Sequence, residues 1–415
     1  MKEKIMGRKL LIISQRFWPE ECDINTMAKN FAAEGVHVDV LCGKPNCPEG
    51  FFYEGYSAFG GRREEHFGGI NIFRAAELKL MGFFQKRPLV NYVSFRISSV
   101  FRIRKLKKNQ YDAVFIYQTS PVFQGAAGLR LAHKRGIRSV MYINDLWPDA
   151  IYKELNIRDP LLRKIFRAVS YKNYKKANRL ITCSKEAERF IKKEIAESPG
   201  NAPYIAPFAS EAFRPGVKDD RIMQRFIGSF NLLYIGPVEP DGPFDMFTEA
   251  AQKIIGAGLR DIRFIIAGDG EGLPELKKKI DRLFLYDTVF LEGKVSPEKL
   301  PGYIYAADAL ICAEKIDVSV SYKPAKQVID YLGAAKPVIA AAGTEGREII
   351  KKAGCGLVSE PEDAAGFFEN ILTLYKTPKD SLRKMGANAL AYQQRNFNAK
   401  TVCSRILDVI FPEEE

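Results

Sequence analysis

The chain has 415 residues, 46% of them hydrophobic, with a formal net charge of +13. That length suits two domains of roughly 200 residues each, and the apolar content is that of a globular protein. It holds no run of about 18 uncharged apolar residues, so no transmembrane helix is expected. The seven cysteines are scattered, with no Cys-x-x-Cys or Cys/His cluster. A disulfide scaffold or zinc site is therefore not expected, and a reducing cytoplasmic setting is. The basic balance asks for an anionic partner, and nucleic acid, anionic lipid and a nucleotide-sugar phosphate all qualify.

In chain order, KLLIIS (9–14) is too short for a signal peptide core and reads as a first buried strand. A helix over 25–34 and strands over 36–43 and 70–75 follow. The spacing then predicts a helix over 88–108, a strand over 111–118, a helix over 125–135, and strands over 139–145 and 178–184. The segment 201–216 carries Pro203, Pro207 and Pro215 and reads as an interdomain linker. Beyond it the pattern restarts, with strands over 231–236, 261–268, 287–293, 307–313 and 336–343 and a helical stretch over 378–411.

Alternating strands and helices predict an α/β chain with doubly wound parallel sheets. Two Rossmann-like domains are expected, 1–205 and 206–390. A C-terminal helix over 391–415 is placed to pack back on the first. The ligand position in such folds is a cleft outside the carboxyl ends of the strands. The first turn, QRFWPEE, lacks Gly-x-Gly-x-x-Gly, which argues against an NAD enzyme.

The most informative stretch is PAKQVIDYLGAAKPV (324–338). Lys326 and Asp330 stand one helical turn apart, so both can face one cleft. A helix start at Pro324 offers N–H groups and a positive dipole end to a diphosphate, and a carboxylate on the same face could hold ribose hydroxyls. Gly236 ends a strand in IGPVEPDGPF, where a glycine lets the backbone approach a phosphate. The glycines of AGDGEG (267–272) read first as turn residues. Asp145, at the end of a strand in NDLWPDA (144–150), reads either as a carboxylate lining the cleft or as an N-cap. Trp147 and Pro148 read as turn-shaping, with acceptor stacking as the other reading. Glu20 follows the first strand and reads as an acceptor-side acid or as a solvated turn or helix-start acid. His37, His66 and His133 are isolated and read as structural or solvent-facing.

Several of these segments resemble bacterial glycosyltransferases of the GT-B type, family-four-like, close to the fucosamine-transferase and colanic-acid subgroup. The donor stretch resembles P-S-K-x-x-E-Y-x-A-A-G-K-P. The matching N-terminal pieces are Trp18-Pro19-Glu20, Pro45-Asn46-Cys47-Pro48-Glu49-Gly50 and Tyr53-Glu54-Gly55-Tyr56. The likeness continues at 117–136, 144–150 and 353–363. It implies a GT-B architecture, with the two domains facing each other across a cleft. Asp145 and Glu20 are implied as catalytic or acceptor-side residues. Gly236, Gly293, Lys294, Val295, Lys326 and Asp330 are implied to bind the nucleotide-sugar donor, with Gly293, Lys294 and Val295 holding the base by backbone contacts. No metal and no cofactor are implied. The chain departs from the pattern at Tyr322, where an acid is usual, at Pro237 and Asp241, and in Lys326, which is shifted by one residue so that Gln327 takes the usual lysine place.

The stretch 86–108, KRPLVNYVSFRISSVFRIRKLKK, has no acid and interleaves apolar with basic residues. It reads either as an interfacial helix on anionic lipid or as a core helix with a solvated basic end. No nucleic-acid motif accompanies the charge, so no nucleic-acid partner is expected. The resemblance implies retaining transfer from a UDP-linked sugar to a polyprenyl-diphosphate-linked saccharide, at the cytoplasmic face of the inner membrane. The departures at Tyr322, Pro237 and Asp241 leave a second reading, a catalytically weakened binding or scaffold protein of the same fold.

Overall fold

The structure, a computed structural model, describes residues 5–81, 88–106, 108–119, 121–148, 151–152, 157–195, 202–315 and 322–413. Lys86, Arg87, Lys107, Ser120, Asp149, Ala150 and Asn201, which belong to segments singled out above, lie outside the described residues. The chain divides into two compact units. Unit 1 comprises Met1–Ala206, Tyr322–Pro324 and Ala399–Glu415, and unit 2 comprises Pro207–Ser321 and Ala325–Asn398.

The sheet of unit 1 is built from β1 (Lys9–Ile13), β2 (His37–Cys42), β3 (Glu64–Phe67), β4 (Ile70–Arg74), β5 (Ala113–Gln118), β6 (Arg138–Ile143) and β7 (Arg179–Thr182). Their order is β3-β4-β2-β1-β5-β6-β7. All neighbours are parallel except β3 and β4. β1 and β5 are almost continuous apolar runs and lie buried on both faces. β3 was not legible as a strand. Its sequence EEHF is largely polar, and it forms an edge hairpin with β4 through Gly68 and Gly69, both at positive φ. The helices that matter are α1 (Asp23–Ala33), α2 (Pro88–Leu106), α3 (Ala126–Arg135), α4 (Pro160–Lys176) and α5 (Lys185–Glu194). Asp159 caps α4 by accepting from Leu162 N, and Ser184 caps α5 by accepting from Ala187 N.

The sheet of unit 2 is wholly parallel, in the order β10-β9-β8-β11-β12-β13. Its strands are β8 (Phe230–Ile235), β9 (Ile262–Ala267), β10 (Val289–Gly293), β11 (Ala309–Ala313), β12 (Val338–Ala341) and β13 (Gly356–Ser359). Within the unit this is the strand order 3-2-1-4-5-6. Without its β3 edge the sheet of unit 1 has the same order, the doubly wound pattern. Helix α6 (Phe244–Gly256) places Phe247 against Phe264 and Phe367 in the core. Helix α7 (Lys326–Leu332) contributes the buried Val328, Ile329, Tyr331 and Leu332. The C-terminal helical stretch is two helices, α8 (Lys379–Asn396) and α9 (Ala399–Ile410). The break falls at Phe397, whose carbonyl accepts from Ala209 N at 2.8 Å. α8 belongs to unit 2, whereas α9 belongs to unit 1 and packs on α1.

Candidate active site

In a doubly wound sheet the ligand crevice opens where neighbouring strands lead off in opposite directions. In unit 2 that point lies between β8 and β11. These strands pair only at Ala309↔Leu232 and Leu310↔Leu233, then separate. Tyr331, fully buried on α7, fills the gap. Its hydroxyl accepts from Ile235 N at 2.8 Å and lies 3.1 Å from Ile235 O and 3.2 Å from Ile311 O. One side chain thus serves the backbone groups that the diverging strands leave without a ladder partner.

Gly236 is the first residue past β8. A Cβ there would lie 2.9 Å from the Tyr234 hydroxyl and 3.1 Å from Gln327 Nε2. A side chain would collide with these groups, so glycine lets the backbone pack closely beside α7. Gln327, the residue in the usual lysine place, donates to Ile235 O at 3.0 Å and to the Tyr331 hydroxyl at 3.1 Å. The 267–272 glycines serve close backbone approach: a Cβ on Gly268 would fall 1.9 Å from Gly236 O. Gly293 ends β10 at φ +65, with Lys294 exposed and Val295 half-buried just after it. These three lie on the far side of β9 from Gly236.

α7 begins at Lys326, two residues after Pro324, with Ala325 as its N-cap. Lys326 Nζ donates to Asp330 Oδ1 at 2.5 Å, and the same oxygen accepts from Ser210 N at 2.7 Å. The two residues are brought together, but principally with each other. Asp330 is only 9% exposed and ties the 210 segment to α7. Glu314, directly after β11, was not singled out by its sequence. Its carboxylate accepts from Gly343 N at 2.8 Å, and burial pushes its pKa up against that hydrogen bond. An acid placed directly after the buried run ADALICA was the available signal.

In unit 1 the corresponding point lies between β1 and β5. Gln124, in the short 3-10 turn Val122–Gly125, accepts from Gln15 N at 2.9 Å and donates toward Tyr117 O and Thr119 O. Glu20 is buried. Its Oε1 accepts from Asn46 N and Cys47 N, both at 2.7 Å, and from Arg16 Nη1 at 3.3 Å. Burial raises its pKa, while Arg16 and the two amides oppose the rise. The solvated-turn reading of Glu20 therefore fails, because the carboxylate anchors the 44–47 turn. Glu77 lies beside it, wholly buried. It accepts from Gln15 Nε2 at 2.7 Å, Asn91 Nδ2 at 2.6 Å and Lys44 N at 3.1 Å, and burial pushes its pKa up to about 7.

Asp145 sits half-buried beyond the carboxyl end of β6, and its backbone carbonyl accepts from Gln118 Nε2 at 3.0 Å. Glu20 follows β1 and Asp145 follows β6, so both stand at the carboxyl edge of one sheet, with β5 between their strands. Trp147 is fully buried. It packs edge-on against Phe123 and Phe166, and its amide donates to the Tyr174 hydroxyl. It shapes the turn and is closed to any acceptor. Tyr322 packs edge-on against Phe190, and its carbonyl accepts from Ser184 Oγ at 2.7 Å. Among the described residues, no group of three or more His, Cys, Asp and Glu converges as a metal site.

Residues 24–200 match the model described as Glycosyltransferase Family 4, and residues 229–377 match that of Glycosyl transferases group 1. The chain is 23% identical to a protein described as the colanic acid biosynthesis glycosyl transferase WcaI of Escherichia coli K12, over 97% of this chain and 99% of that one. It is 31% identical to the alpha-D-kanosaminyltransferase of Streptomyces kanamyceticus, over 21% of this chain and 22% of that protein. The solved structure of Alr3699/HepE from Anabaena, in complex with UDP and glucose, superposes with a TM-score of 0.67 at 14% identity, covering 97% of this chain and 99% of that one. At that identity the superposition shows the shared fold.

Proposed function

Because this chain belongs to the family-four-like glycosyltransferases of the GT-B fold, we propose that it transfers a sugar from a UDP-linked donor to a polyprenyl-diphosphate-linked saccharide, with retention of anomeric configuration, in surface polysaccharide assembly. The observation that carries the donor side is the glycine turn at Gly236, packed closely beside α7 at the point where β8 and β11 part. A relative of the same fold was solved with UDP and glucose, which supports a nucleotide-sugar donor. The full-length likeness to WcaI supports surface polysaccharide as the destination.

In this reading the bond from the anomeric carbon to the diphosphate oxygen breaks and a bond to the acceptor hydroxyl oxygen forms. The hydroxyl proton leaves, and the diphosphate takes the negative charge. Stabilising that charge asks for a cation and amide donors already in place. Lys326 is the cation assigned to it, turning from Asp330 to phosphate, with the Gly236 backbone approaching the diphosphate. Gly293, Lys294 and Val295 hold the base, and Asp330 orients the ribose side. Asp145 lies on the acceptor half and orients the hydroxyl, while Glu20 positions the neighbouring turn. The stretch 86–108 meets anionic lipid. Among the described residues, no helix is long and apolar enough to cross a membrane.

Calorimetry with UDP and UDP-sugars, followed by an assay for UDP release with a lipid-linked acceptor, tests the reading. UDP binding without turnover on any acceptor would favour the weakened binding protein. The ion pair of Lys326 with Asp330 is the observation on that side.

A further inference from the structure

Unit 1 carries a groove of about 750 Å³ between α2, α3 and α4. Val100, Ala126, Leu129 and Val169 line it with apolar surface. Its cations include Arg96 from α2, Arg130 and Lys134 from α3, and Lys172 and Lys176 from α4. No acidic side chain is among the described residues that line it. The last turn of α3 leads into the amino end of β6, and that of α4 into the amino end of β7. The cations therefore gather toward the amino edge of the sheet, whereas Asp145 stands beyond its carboxyl edge. The groove is separate from the site described above.

So many like charges around one concavity repel one another unless an anion joins them. The flanks add a second requirement. On α2, Val93, Ile97 and Phe101 follow at four-residue steps and are 39%, 52% and 59% exposed. On α4, Leu161, Leu162 and Ile165 are 67%, 46% and 50% exposed. At 100° per residue, 161, 165, 169, 172 and 176 share one face of α4, so this apolar stripe continues into the groove. A soluble polyanion would satisfy the cations and leave these apolar turns in water. A bilayer surface offers phosphate and hydrocarbon side by side.

We propose that the α2–α3–α4 groove binds the phosphate headgroup of an anionic membrane lipid, while the flanking stripes of α2 and α4 enter the headgroup–acyl boundary. This rests on the lipid-contact reading of 86–108 and extends it to two further helices. Arg102, inside that stretch, is not part of the footprint. It pairs with Glu64 at 2.6 Å, and its side chain is only 10% exposed.

Flotation of the full chain with vesicles of phosphatidylcholine, alone or mixed with phosphatidylglycerol, is the test. The groove variant carries Arg130→Gln, Lys134→Gln, Lys172→Gln and Lys176→Gln. A control of equal charge change carries Lys277→Gln, Lys278→Gln, Lys299→Gln and Lys384→Gln, all exposed on unit 2. A third variant carries Ile97→Ser and Phe101→Ser. Wild type should float only with the mixed vesicles. The groove variant should partition about 100-fold more weakly and the control nearly as wild type, with unchanged thermal midpoints. An equal loss in the control would reduce the effect to net charge and overturn the proposal. If the groove variant floats like wild type while the third variant does not, the contact through 86–108 stands and the groove falls. No flotation of wild type would sink both readings. Saturable binding of inorganic phosphate at the groove without flotation would assign it to a soluble anion instead.

Discussion

Lys326 Nζ and Asp330 Oδ1 lie 2.5 Å apart, one turn along α7, and the same carboxylate oxygen holds the amide of Ser210. The pair is asymmetric. Asp330 has a second, backbone partner and is largely buried, while the Lys326 side chain keeps 29% of its surface in solvent. Lysine is therefore the member that can turn toward a ligand.

Lys326→Ala should weaken UDP-sugar binding by about 1.5–3 kcal/mol, the loss of one charge-assisted contact. The thermal midpoint should move little, since a partly exposed pair contributes about 0–1 kcal/mol. Asp330→Ala should destabilise unit 2 by about 1–3 kcal/mol, because Ser210 N loses its acceptor. Calorimetry and denaturant melts of the two variants separate the roles. Equal UDP affinity in Lys326→Ala and wild type would remove Lys326 from the donor site.

Tyr331→Phe keeps the buried ring and removes the hydroxyl that meets Ile235 and Ile311. The expected cost is about 1–3 kcal/mol in denaturant unfolding, with the slope unchanged. UDP binding should weaken as well, because the backbone leading into Gly236 loses its brace. A stable variant with normal affinity would show that strand divergence here needs no side-chain support.

Asp145→Asn should lower turnover while leaving UDP affinity nearly intact, since Asp145 belongs to unit 1 and the donor residues to unit 2. A parallel fall in UDP binding would place Asp145 on the donor instead. Unchanged turnover would make it a turn residue only.

Glu77 sets a pH dependence with a definite sign. Burial raises its pKa from 4.5 to about 7, against its hydrogen bonds from Gln15 and Asn91. The folded state thus binds this proton more tightly than the unfolded chain. Its contribution to stability is complete below the unfolded value and is lost as pH rises through about 7, a change on the order of 3 kcal/mol. Glu20, also raised by burial, has the same sign. Urea melts across this range should show a flatter dependence in Glu77→Gln than in wild type. Parallel curves would mean that Glu77 does not titrate there.

Most strands of both sheets were legible because they are near-continuous apolar runs such as LLII and RFIIA, a local signal, whereas the short β13, GLVS, was not read as a strand. β3 was hidden because EEHF is a polar edge strand. The helical break at Phe397 was hidden, and the carbonyl there accepts from an amide distant in sequence, Ala209 N. At the donor side, the spacing of Lys326 and Asp330 predicted a shared helix face. That they hold each other and Ser210 depends on where the 210 segment runs, which no periodicity records. Tyr331 and Gln124 escaped notice for a related reason: each serves backbone groups exposed only where two particular strands diverge. Trp147, open to two readings in sequence, is decided by the rings of Phe123 and Phe166 around it.

The central claim is that a nucleotide diphosphate-sugar binds at the carboxyl end of β8, beside α7. Hydrogen–deuterium exchange of the full chain with and without UDP addresses it most directly. The account predicts slower exchange at 235–238, 293–296 and 326–331 when UDP is added, with the α2–α3–α4 groove unaffected. Unchanged exchange in those three segments at saturating UDP, or protection confined to other segments, would contradict it.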